Sequence, residues 1–84
     1  MKTLTEYIAW AQQNPNVKIH NLAWKDYLAA DRWCDAICIH AGEQFSMATP
    51  GTMLIVLRSL ESTLGPDVRQ QIQETFEQLT ADEE

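Results

Sequence analysis

The sequence is poor in the residues that build most recognisable sites. Its three glycines stand far apart at positions 42, 51 and 65, so no glycine-rich loop exists to cradle a phosphate and no serine sits in a glycine-flanked elbow. Two cysteines, Cys34 and Cys38, are too few for the disulfide framework of a small secreted domain. Apolar runs are short, Met53 to Leu57 among the longest, against the roughly 20 residues that cross a bilayer. Glu6 and Gln12 break up the N-terminal stretch, which therefore does not read as a secretory leader. The expectation is a cytoplasmic chain that spans no membrane, with both thiols free.

Basic residues are also scarce. Six Lys and Arg stand against twelve Asp and Glu, a formal net charge of −6. The imbalance is not spread evenly. Residues 1–42 hold four basic and four acidic side chains, whereas the remainder sets Arg58 and Arg69 against eight carboxylates. Such a field repels phosphate backbones and anionic lipid surfaces, which disfavours direct nucleic-acid binding and suits a basic protein partner.

What the chain does have is helical patterning. An apolar share of 45% over 84 residues is enough for one small domain covering 1–84, of modest stability. Thr3-Leu4-Thr5-Glu6 matches a capping box, and Leu4, Tyr7, Ile8 and Ala11 follow at helical spacing, predicting a helix over about 3–13. Asn14-Pro15-Asn16 stops it. Val17 to His20 alternates and reads as an extended connector, after which Asn21 is the expected cap. Tyr27, Ala30, Cys34, Ile37, Cys38 and Ala41 make one stripe, predicting a second helix over about 22–41 closed by Gly42.

Thr49-Pro50 is a cap followed by proline where its missing donor costs nothing. The third helix it opens carries Met53, Leu57, Leu60 and Leu64 as a seam, with Leu54, Ile55 and Val56 filling other directions, and is expected to be the buried centre. Gly65-Pro66 ends it, and Val68, Ile72, Phe76 and Leu79 form the last seam. So short a join implies an antiparallel hairpin whose seams face each other. The fold class is all-α, a four-helix domain with a C-terminal antiparallel hairpin and an acidic, frayed tail at 80–84. One alternative is α+β: residues 36–48 also fit a short β-hairpin turning at Gly42-Glu43.

Chemistry-bearing constellations are few. Cys34, Cys38 and His40, with His20 upstream, offer the donors of a zinc site, but His40 projects from the other side of the helix, and thiols inside an apolar stripe act as small hydrophobes. The expectation is no metal, no other cofactor and no enzyme activity. Five of the seven aromatics lie in the first 33 residues; Tyr7, Trp10 and Trp33 are candidate contacts because Trp and Tyr dominate binding hot spots. Glu61, Asp67, Glu74 and Glu77 are candidate acidic contacts for a basic partner. Together these point to a non-catalytic, acidic protein-binding module, an adaptor, regulator or inhibitor of a larger protein. The alternatives are an inhibitor that imitates nucleic acid to block a nucleic-acid-binding protein, or an accessory subunit of an enzyme complex. A homodimer would also suit so small a core.

Overall fold

Among the described residues, four α-helices form where the sequence has helical spacing between punctuating residues. The computed structural model describes residues 1–45 and 48–81. In it α1 spans Leu4–Gln13, α2 Trp24–Ala41, α3 Pro50–Leu64 and α4 Val68–Thr80, with a single 3-10 turn at Ile19–Asn21 before α2. The α+β alternative is overturned across 36–41, which lie inside α2, and no strand occurs among the described residues. An unbroken ladder from Tyr27 N–H to Ala23 C=O (2.8 Å) through Gly42 N–H to Cys38 C=O (2.9 Å) holds that helix. Ser46 and Met47 of the proposed second strand, and residues 82–84 of the tail, lie outside the described residues.

The ends behave as local chemistry dictates, with two exceptions. Thr3 Oγ1 accepts from Glu6 N–H (3.2 Å) and its hydroxyl donates to Glu6 Oε1 (3.1 Å). The return bond of a capping box, in which Thr3 N–H would donate to the Glu6 carboxylate, is thus replaced by a side-chain pair. Thr49 Oγ1 caps α3 at Thr52 N–H (3.4 Å) with Pro50 following. Gly42 closes α2 at φ 72°, a left-handed conformation that glycine adopts without a Cβ penalty. The exceptions lie before α2. The expected extended connector is instead a 3-10 turn, with Asn21 N–H on Lys18 C=O (2.9 Å) and Leu22 N–H on Ile19 C=O (3.0 Å). That turn consumes Asn21, so Ala23 stands at the N-cap with no side-chain bond.

Packing also departs from the sequence reading. The buried centre is α2, not α3: Ala30, Trp33, Ala36 and Ile37 are essentially inaccessible, whereas Ile55 and Leu64 of α3 are 72% and 54% exposed. Helix α4 packs most extensively on α2, and α3 divides its contacts among α1, α2 and α4. The link Gly65–Asp67 returns the chain, yet the hairpin it makes is not the main seam. Trp33 is the reason. Its ring stacks on Phe76 at 3.8 Å with 4° between planes and on Tyr7 at 5.8 Å, so the largest buried side chain of α2 draws α1 and α4 onto one point. Fully burying a large apolar side chain is worth about 1.5–3 kcal/mol.

Polar bonds then lock the chain segment preceding α1 to that core. Trp33 Nε1–H donates to Met1 C=O (3.0 Å). The Gln73 amide accepts from Leu4 N–H (2.8 Å) and donates to Lys2 C=O (3.1 Å). On the other side, Gly51 N–H donates to Pro15 C=O (2.9 Å), and a Cβ at Gly51 would fall 2.9 Å from that same oxygen. The lack of a side chain there lets α3 start against the loop after α1.

Candidate functional site

Helix α2 has a second face. Tyr27, Asp31, Asp35 and Ile39 recur every four residues, a spacing that places them along one side of a helix. While Ala30, Trp33 and Ile37 point into the core, this side borders a groove of about 1310 Å³. The connector residues Val17 to His20, the residues Gly42 to Phe45, Thr49, and Leu79 of α4 supply the remaining lining, with Cys34 and Cys38 bordering it from α2. The groove therefore depends on the 3-10 turn and on Gly42, whose left-handed conformation redirects the chain after α2.

Its lining mixes apolar surface with an excess of negative charge. Asp31, Asp35 and Glu43 line it together with Lys18 and His20. Asp31 and Asp35 repel each other at i,i+4, and one guanidinium is shared between them: Arg32 Nη1 lies 3.1 Å from Asp31 Oδ2 and 3.5 Å from Asp35 Oδ2. The Asp35 carboxyl is nonetheless raised above its ordinary range, first by partial desolvation and then by Asp31, with Arg32 opposing. The Cys34 thiol is pushed up to about 12, mainly by burial and then by Cys38, Asp35 and Asp31. It stays protonated near neutral pH and is no nucleophile there.

The sulfur atoms form a cluster of their own. Cys34 Sγ lies 3.9 Å from Cys38 Sγ and 3.7 Å from Met53 Sδ, and both cysteines are free. His40 is not part of it. Thr75 gives its hydroxyl hydrogen to Gln71 C=O (2.9 Å), so His40 Nε2–H donates to Thr75 Oγ1 (2.8 Å) and ties α2 to α4. His20 is exposed on the 3-10 turn. Among the described residues, no three His, Cys, Asp or Glu side chains converge on one point.

The residues singled out from sequence divide sharply. Tyr7, Trp10 and Trp33 come together, but Tyr7 and Trp33 are 1% and 0% exposed and form the core stack described above. Their place on a docking surface is corrected: Trp33 faces inward because Phe76 and Tyr7 offer both sides of its ring a partner. Trp10 is half-buried, its ring 6.1 Å from Tyr7. Glu61 pairs with Arg69 across the α3–α4 link. Asp67 is exposed at the N-cap of α4, and Glu74 and Glu77 are exposed on the helix, where Glu74 accepts from Gln70 Nε2 (3.1 Å). The exposed aromatic is one the sequence reading passed over: Trp24 is 71% accessible and stacks on Tyr27 at 5.7 Å. The signal that would have found the groove was the four-residue step from Tyr27 to Ile39, with two like charges at i,i+4.

No described helix is long and apolar enough to cross a membrane. Comparisons with protein-family models, curated proteins and solved structures find nothing that matches this chain.

Proposed function

We propose that the chain is a non-catalytic protein-binding module, and that the groove along α2 receives a basic, amphipathic segment of a larger protein for which it serves as adaptor, regulator or inhibitor. The observation that carries this reading is the lining itself: an apolar floor bordered by Asp31, Asp35 and Glu43, with Lys18 the one lysine or arginine among the lining residues. Apolar side chains of the segment pack on Tyr27, Ile39, Phe45 and Leu79. Its lysines or arginines relieve the repulsion between Asp31 and Asp35, which the fold tolerates at a cost to Asp35. Exposed charges of this kind steer approach and fix orientation more than they add affinity. The stacked Trp24 and Tyr27 stand beside the groove as a rigid anchor of the type common in hot spots.

The groove is preferred over the acidic face of α4 because it sets its carboxylates beside apolar surface, whereas glutamines separate the carboxylates of α4. Imitation of nucleic acid would call for a denser array. The test is selection from a random peptide display library on the wild-type protein, with counter-selection on D31N/D35N/E43Q. Enrichment of peptides combining Lys or Arg with apolar residues at i,i+3 and i,i+4 is expected, with binding that weakens as salt rises. Acidic peptides, or peptides indifferent to the triple substitution, would refute the reading.

A further inference from the structure

Cys34 and Cys38 line the groove and Met53 lies fully buried against Cys34, and this cluster of three sulfur atoms carries an inference independent of the groove's occupant. We propose that these three side chains form a site for a soft monovalent cation, copper(I) being the biological ion of that class. Cys34 Sγ stands 3.9 Å from Cys38 Sγ and 3.7 Å from Met53 Sδ. Metal–sulfur bonds of about 2.3 Å set the corners of a trigonal plane about 4.0 Å apart, close to both of these separations from Cys34 Sγ.

The donor set selects the ion. Two thiolates and a thioether suit copper(I), whereas zinc seeks four ligands and takes nitrogen, oxygen or thiolate rather than thioether. No imidazole is at hand to complete a zinc site: His40 is bound to Thr75, and no three His, Cys, Asp or Glu side chains converge among the described residues. Access and shielding are both provided. Cys34 and Cys38 line the groove, through which an ion can enter, and Met53 is fully buried beneath them. The helix supplies the geometry, because residues four apart share a face, and α3 brings Met53 across.

The chemistry balances without a redox step. One copper(I) forms three Cu–S bonds, both thiols lose their protons to solvent, and no electron moves. Binding that releases two protons strengthens by up to about 100-fold for each unit of pH, until a thiol titrates in the free protein.

The test is anaerobic transfer of copper(I) from its bicinchoninate complex to the intact protein, read by the loss of the complex's colour. X-ray absorption then counts the neighbours of the bound ion. One equivalent with three sulfur neighbours is expected, retained in the presence of zinc(II). Met53→Leu preserves volume and helicity, checked by circular dichroism, and should weaken binding at least about tenfold, the lower bound for disturbing even an outer ligand. Cys38→Ser should abolish the three-sulfur signal. Failure of transfer, two sulfur neighbours, nitrogen or oxygen neighbours, displacement by zinc(II), or an unchanged Met53→Leu affinity would each overturn the site. The absorption spectrum of the wild-type complex decides the question even if a variant fails to fold.

Discussion

Trp33→Ala tests the central packing claim most directly. The indole is fully buried, stacked on Phe76 at 3.8 Å and on Tyr7 at 5.8 Å, and its Nε1–H holds Met1 C=O at 3.0 Å. Truncating such a side chain costs about 3–5 kcal/mol. Total stability for 84 residues is about 4–13 kcal/mol on the usual per-residue scale, so the variant should lie near or beyond the edge of folding. Each kcal/mol lost lowers the melting temperature by about 4–8 °C in a domain of this size. Trp33→Phe separates the contributions. It keeps an aromatic ring against Phe76 but loses the bond to Met1 and part of the volume, and should cost about 1–2 kcal/mol. Urea unfolding followed by helical circular dichroism is the appropriate assay, because emission would change with the residue itself. A Trp33→Ala protein within about 1 kcal/mol of wild type, with the same denaturant dependence, would refute Trp33 as the point where α1, α2 and α4 meet.

Three further outcomes follow from other parts of the molecule. Gly51→Ala places a methyl group 2.9 Å from Pro15 C=O and 3.1 Å from its Cβ; overpacking of this kind costs about 1–3 kcal/mol, exceeding the roughly 1 kcal/mol of helix propensity gained, and thermal melting should show a net loss. Alkylation followed by intact mass should modify Cys38, half-buried on the groove, well before Cys34, whose thiol is buried and raised to about 12; fast double modification in the native state would contradict this. The folded state raises the Asp35 carboxyl above its unfolded value, so the ionised form weakens folding above the folded pKa and the deficit vanishes as pH falls below about 3.9. Asp35→Asn should therefore melt higher than wild type at neutral pH, lose that advantage in acid, and bind basic peptides less well. A variant no more stable at pH 7 than at pH 3, relative to wild type, would count against strain at this position.

Much of the secondary structure was legible from local chemistry. Thr3, Thr49-Pro50, Gly42 and Gly65-Pro66 punctuate the chain through backbone geometry and short-range bonds, and the helices begin and end within about two residues of where those signals lie. The Asn21 cap failed because a 3-10 turn used the residue first, a competition between two local structures that composition does not resolve. The candidate site was less legible for a different reason. A helix with apolar or aromatic residues on more than one side states how much surface it wants buried but not which side meets which neighbour.

Thus the sequence by itself determined the helical class, the stops between helices and the acidic balance, because these depend on residues a few positions apart or on a sum. The tertiary structure alone decided that Trp33 faces inward while Trp24 faces out, that α2 rather than α3 is central, and that Asp31, Asp35 and Glu43 border one groove. Those choices turn on Phe76, more than forty residues downstream of Trp33. Stacking across that separation is a packing contact, and packing is settled only when all four helices compete for the same interior.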